Sequence, residues 1–150
     1  MKIWIDADAC PRVIKDILFR ASERTRTEVK VVANSSLWVP RSPLVEFVLV
    51  GKGLDVADTH IATECAAGDI VVTADIPLAA LIVPKGAHAL NPRGELYTPE
   101  NIAERLSVRN FLQGMRDAGE STGGPPAFHD RDKQKFANAL DALLRKAGRG

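Results

Sequence analysis

Two cysteines, Cys10 and Cys65, in 150 residues are too few and too far apart for a disulfide framework or a cysteine-rich zinc site. A reduced, cytoplasmic setting is therefore the expectation. An excess of charge is missing too. The 20 Lys and Arg stand against 19 Asp and Glu, a formal net charge of +1. No global field then draws the chain to nucleic acid or to an anionic membrane, and any such contact needs a local basic patch. Long apolar runs are absent as well. The longest, residues 76–83, is broken by Pro77 and falls far short of the ~20 residues that a membrane helix needs. The N-terminus carries one Lys, a strand-length apolar run and then acids, so no secretory leader is expected. Gly51-Lys52-Gly53 lacks the rest of a phosphate-binding P-loop, and nothing implies a nucleotide or redox cofactor.

What remains is an ordinary core-forming composition, with 45% hydrophobic residues and a length suited to one domain over residues 1–150. Apolar runs alternate with helical periodicity over residues 1–97, which predicts βαβ units and a mostly parallel sheet of about five strands. Strands are expected at 2–5, 29–33, 45–50, 70–73 and 87–91. The intervening helices are expected at 11–23 and 56–67, the second stopped by Gly68, with a short helix after Pro77. Residues 37–44, with two prolines and Trp38, read as a loop. From Thr98 the pattern is helical only. Thr98 reads as an N-cap before Pro99, followed by helices at 102–106, 108–118 and 131–146. Residues 119–126, with three glycines and two prolines, read as mobile. The last helix has a cationic face of Arg131, Lys133, Lys135, Arg145 and Lys146, either simply solvated or available to phosphate.

The chemistry gathers just past the strand ends. The first strand runs into Asp6-Ala7-Asp8-Ala9-Cys10-Pro11, and the fourth into Thr73-Ala74-Asp75-Ile76-Pro77. Asn34 and Ser35 follow the second strand, Asp55 and Asp58 the third, and Asn91 and Arg93 the fifth. In a parallel sheet these positions share the carboxyl edge, where open α/β folds bind their ligands. Acids gathered at one edge repel one another unless a cation sits among them. A hard divalent ion, Mg²⁺ or Mn²⁺, suits oxygen ligands of this kind. Asp6, Asp8, Asp55, Asp58 and Asp75 are the candidate ligands, with Asn34, Ser35 and Thr73 as supporting polar groups. Asp8 and Asp55 equally suit helix N-termini. Asp69 belongs to the turn before the fourth strand, at the opposite edge. Cys10 and His60 read as packing residues.

Asp58-x-x-Ile61-Ala62, followed by Gly68-Asp69-Ile70-Val71-Val72-Thr73-Ala74-Asp75, resembles the second half of PIN domains, which are metal-dependent ribonucleases. The likeness to one branch is closer. Asp6-Ala7-Asp8-Ala9-Cys10-Pro11, Val32-Ala33-Asn34-Ser35, Thr73-Ala74-Asp75-Ile76-Pro77-Leu78-Ala79, Asn91-Pro92-Arg93-Gly94-Glu95 and the late Gly123-Gly124-Pro125 and Phe136 resemble the YaiI/YqxD family of uncharacterised bacterial PIN-like proteins. The resemblance covers nearly the whole chain. It implies a three-layer PIN-like fold with a helical C-terminal part at 98–150. It also implies Asp6, Asp58 and Asp75 as catalytic acids, with RNA as the substrate. PIN nucleases carry a further acid, often Glu, ahead of the third strand. Neither Glu23 nor Glu46 matches it, and Asp8 is the nearest replacement.

Three readings follow. The first is a Mg²⁺- or Mn²⁺-dependent nuclease, with Arg93, Arg109 and the last helix meeting phosphates. The second is a PIN-like module that binds RNA or a protein partner without catalysis. The third is a haloacid-dehalogenase-type phosphohydrolase, because Asp6-x-Asp8 after an apolar strand resembles its nucleophile motif. That reading implies a covalent aspartyl-phosphate.

Overall fold

Side chains alternate across the first strand, and that alternation sets the layers. The computed structural model describes residues 1–53, 55–119 and 127–148. In β1 (Lys2–Asp6), Ile3 and Ile5 enter one core, while Trp4 belongs to another on the opposite face of the sheet. β2 (Glu28–Ala33), β3 (Val45–Leu49), β4 (Ile70–Val72) and β5 (His88–Leu90) join β1 in parallel, in the order β3-β2-β1-β4-β5. The register is Ile5↔Val31 to one side and Ile5↔Val72 to the other. Helices α1 (Arg12–Thr25) and α5 (Asp130–Gly148) cover the Ile3/Ile5 face through Ile14, Leu18, Phe136 and Leu140. Helices α2 (Val56–Glu64) and α3 (Ile76–Ile82) cover the Trp4 face through Ile61, Leu78 and Ile82, with Ile102 of α4 (Ile102–Asp117) beside them. The result is a three-layer α/β fold. Among the described residues no helix is long and apolar enough to cross a membrane.

The sheet has six strands where about five were expected. β6 (Leu96–Tyr97) returns antiparallel to β5. The reversal is a tight turn in which Asn91 N donates to Glu95 O and Gly94 N to Asn91 O, both at 2.8 Å. Two residues are too short to show an alternating pattern, so this strand is hidden in the sequence. Helix α2 also differs. It ends at Glu64, not at Gly68, because the Lys85 ammonium donates to the carbonyls of Ala62 and Cys65, each at 2.7 Å. A side chain from another element thus satisfies the last carbonyls. Gly68 (φ +88°) instead serves the turn into β4. The two helices expected at 102–106 and 108–118 are one continuous α4. Thr98 does not cap it directly. Thr98 and Asn101 bond each other's backbone amides through their side chains, and Asn101 holds the cap position. Most of the segment expected to be mobile, from residue 120 on, lies outside the described residues together with Gly123-Gly124-Pro125.

Two contacts lock the layers. At the amino edge of the sheet, the buried Asp69 carboxylate accepts from Lys2 N and Trp4 Nε1 at 3.0 Å and from Ala66 N at 2.9 Å. At the carboxyl edge, the β5–β6 turn is pressed against α5. A Cβ on Gly94 (φ +90°) would meet the Lys135 carbonyl carbon at 2.7 Å and Phe136 N at 2.8 Å. Asp69→Ala strands buried donors, so it should lower the unfolding free energy in urea by about 3 kcal/mol; a loss under ~1 kcal/mol would contradict that role. Gly94→Ala adds both a clash and a left-handed alanine, so a destabilisation of similar size, about 3 kcal/mol, is expected in the same assay.

Candidate functional site

Side-chain parity carries Asp6 and Thr73 to the same place. Asp6 shares the face of Trp4 on β1, and Thr73 follows β4 on the face of Val71. These two strands are neighbours. The chain winds from β1 through β2 to β3 on one side, then crosses to place β4 on the other. Their junction is therefore the point where the strand order reverses, the position at which open α/β sheets form their ligand crevice.

Thr73 ties this junction together. Its hydroxyl donates to Asp6 Oδ2 at 2.9 Å and accepts from Asp75 N at 2.9 Å. Asp75 in turn caps α3, its Oδ1 accepting from Leu78 N at 2.9 Å. Asp58 arrives from above, in the first turn of α2. Its carboxyl is pushed up to about 7, first by burial, then by a hydrogen bond with and the charge of Asp75, then by the charges of Asp6 and Asp55. Burial also raises Asp6; the Thr73 hydroxyl opposes this, and the charges of Asp75 and Asp8 add to it. The structure thus brings Asp6, Asp58 and Asp75 together, with Asp8 and Asp55 within electrostatic reach. Among the described residues, no group of three or more His, Cys, Asp or Glu side chains is disposed to hold a metal ion.

The outlying acids are placed differently. Asp8 Oδ2 accepts from Asn34 N at 2.9 Å, so it links the ends of β1 and β2 instead of capping α1. Asp55 holds the cap position of α2 with φ +64° but makes no capping side-chain bond. Asn34 contributes its backbone, and Ser35 is exposed. Glu46 of edge strand β3 is paired with Lys30 of the adjacent β2, and Glu23 accepts from Ser42 Oγ.

The two arginines expected to meet phosphate are also engaged. Arg93 Nη1 donates to Asp132 Oδ2 at 3.1 Å and to Ala127 O at 3.3 Å, and its guanidinium lies over the Phe128 ring. It thereby holds the start of α5 to the sheet. Arg109 bonds its neighbour Asn110 on exposed α4. Cys10 is buried, which pushes its thiol up to about 12 and leaves it unsuited to nucleophilic attack. His60 packs edge-to-face on Trp4.

One polar group at this edge escaped the sequence reading. Tyr97, the only tyrosine, is buried and accepts from Asn91 Nδ2 at 3.0 Å. Burial raises its phenol, and Asp75 is among the charges that act on it. The only signal was an isolated tyrosine just past a tight turn. Its arrival beside the acids depends on β6.

These features define a three-layer α/β protein with an acidic crevice at the switch point of its sheet. The model of a family described as "Uncharacterized BCR, YaiI/YqxD family" matches residues 4–146. The chain belongs to that family. A UPF0178 protein of Dechloromonas aromatica is 56% identical over 97% of this chain and 97% of its own length. One of Syntrophotalea carbinolica is 57% identical over 96% and 97%, and one of Hahella chejuensis 54% identical over 99% of both. No solved structure matches the chain.

The raised Asp58 carboxyl makes the stability of the fold depend on pH. The folded state holds that proton more tightly than the unfolded chain does, so stability is greatest below the unfolded carboxylate value. It is lost as pH rises through the interval from about 4 to about 7. Asp58→Asn should therefore unfold at higher temperature than wild type at pH 8 without divalent metal, with the gap closing towards pH 4. A gap independent of pH would contradict the assignment.

Proposed function

We propose that this chain is a metal-dependent phosphodiester hydrolase acting on RNA, with Asp6, Asp58 and Asp75 holding Mg²⁺ or Mn²⁺. The observation that supports the reading is the convergence of three carboxylates on the switch point of the sheet, from β1, α2 and the cap of α3, with Asp6 and Asp58 both raised by burial and by the acids beside them. A cluster that raises its own proton affinity is one that a cation would relieve. The donor chemistry fits: hard oxygens and no sulfur. A closed protein cage is not required, because Mg²⁺ is typically held by one or two carboxylates together with water and substrate phosphate. Asp58 and Asp75, which act directly on each other's side chains at the head of α2 and α3, are such a pair.

A bound ion of this kind would supply charge neutralisation at the phosphodiester and activation of a water. The rest belongs to the chain. Thr73 fixes the Asp6 carboxylate through its hydroxyl and the start of α3 through the Asp75 amide. The α3 cap fixes one Asp75 oxygen and leaves the other for the site. The Asp58 carboxyl, raised by burial and by Asp75 in the metal-free protein, would give up its proton to hold the ion. Asp8 and Asp55 tune the charge around these three.

Chelator-treated protein should cleave single-stranded RNA only after Mg²⁺ or Mn²⁺ is restored. Asp6→Asn and Asp75→Asn should each lower turnover by at least about a hundredfold, since loss of a mere supporting partner of a metal ligand already costs up to that much. Asn still caps a helix, so the Asp75→Asn circular dichroism spectrum should be unchanged. RNA that binds but persists in millimolar Mn²⁺ would instead favour a non-catalytic RNA-binding module. Trapping of a phosphorylated Asp6 would favour the phosphohydrolase reading.

A further inference from the structure

Trp38 is 72% exposed, whereas the other tryptophan, Trp4, is 4% exposed. A lone exposed aromatic is unremarkable on a protein surface; this one is held outward by its neighbours. Leu37 and Val39 on either side pack against the α1/α5 core, so the residue between them points away from it. The ring also meets Phe19 of α1 edge-to-face, with centroids 6.4 Å apart. Beyond it the chain is tied back, with Ser42 Oγ donating to Glu23 and Val29 N to Leu44 O. The indole is thus pre-placed on a braced loop at little further cost in side-chain entropy.

Its surroundings are cationic. Trp38, Leu37 and Phe19 line a cleft of about 230 Å³ with Arg12, Lys15 and Asp16. Arg12 and Lys15 stand three residues apart in the first turns of α1 and so share one helix face. Neither takes part in an ion pair among the described residues. Two cations against one acid, beside an exposed indole, is the pairing by which single-stranded nucleic acid is held: a base stacks on the ring and its phosphates meet the cations.

The cleft lies at the same edge of the sheet as the acids. Arg12 opens the helix that follows β1, and Trp38 comes five residues after the end of β2 (Ala33), before the loop returns to the amino edge at Leu44. The two strand ends are joined there by Asp8 and Asn34 N. Asp6 faces the α2/α3 layer, and the Trp38 loop packs on the α1 layer. A strand held at Trp38 would thus approach the acids across the ends of β2 and β1.

We propose that Trp38, Arg12 and Lys15 form a stacking platform for single-stranded RNA, binding the substrate beside the acidic crevice. The proposal rests on the nucleic-acid reading above, and its test separates the two. Oligouridylate is titrated into the full chain with EDTA present, so that binding is read without cleavage. Intrinsic fluorescence should be quenched, because only Trp38 is accessible. By anisotropy of a labelled oligouridylate, Trp38→Ala should weaken binding about tenfold or more, and Trp38→Phe should restore most of it. Arg12→Ala/Lys15→Ala should flatten the dependence of log affinity on log salt by about 0.7 per lost phosphate contact. Absence of oligouridylate binding, or equal binding by Trp38→Ala, overturns the platform. Binding of an acidic peptide in place of the oligonucleotide also overturns it and assigns the surface to a protein. Binding that depends on Trp38 without any cleavage in Mn²⁺ would leave the platform standing and remove the hydrolase.

Discussion

The hydroxyl of Thr73 is the hinge of the structure. It donates to Asp6 on one strand and accepts from the amide of Asp75 at the head of the next helix. Without that bridge, a buried carboxylate at the end of β1 would face water-poor surroundings and a neighbouring acid with no compensating donor. With it, β1, β4 and α3 meet in a fixed relation at the one place where the sheet reverses its order. Asp58 is then brought down onto the pair by α2, whose Ile61 is anchored in the core below. The site's geometry is a consequence of parallel winding plus one side-chain hydrogen bond.

The two ends of the sheet resolve the same problem in opposite ways. Asp69, at the amino edge, is buried and satisfied by three N–H donors, two from β1 and one from the turn that follows α2. It has no acid competing with it in those bonds and behaves as a rivet. Asp6, at the carboxyl edge, has one hydroxyl donor and several acids around it. An acid surrounded by donors holds a fold together, whereas acids surrounded by acids store repulsion that a ligand can relieve. This contrast, more than the count of carboxylates, is what makes the Asp6 grouping the candidate site and Asp69 a structural one.

Much of this was legible in the sequence because it follows from short-range rules. Apolar runs ending in Asp6 and Thr73, and helices opening near Pro11 and Pro77, are local signals, and the parallel order follows from their alternation. The edge assigned to Asp69 also follows from its position before a strand. Less was legible where distant parts of the chain decide the outcome. Lys85 ends α2 four residues before its glycine. β6 exists because a tight turn at Gly94 folds against α5. Tyr97 reaches the acidic edge only through that strand, and Arg93 turns from solvent towards Asp132 because α5 docks there. A carboxyl such as Asp58, titrating near 7, is visible only once α2 and α3 are packed side by side.

Isothermal titration of Mn²⁺ into chelator-stripped protein at pH 6, repeated in buffers of different ionisation enthalpy, tests the central claim most directly. If the acids at the switch point form a cation site, Mn²⁺ binds saturably and displaces a proton from the Asp58–Asp75 pair. Both the binding and the proton release are then lost in Asp6→Asn/Asp75→Asn. Absence of saturable binding in millimolar Mn²⁺, or binding unchanged in the double variant, would contradict it.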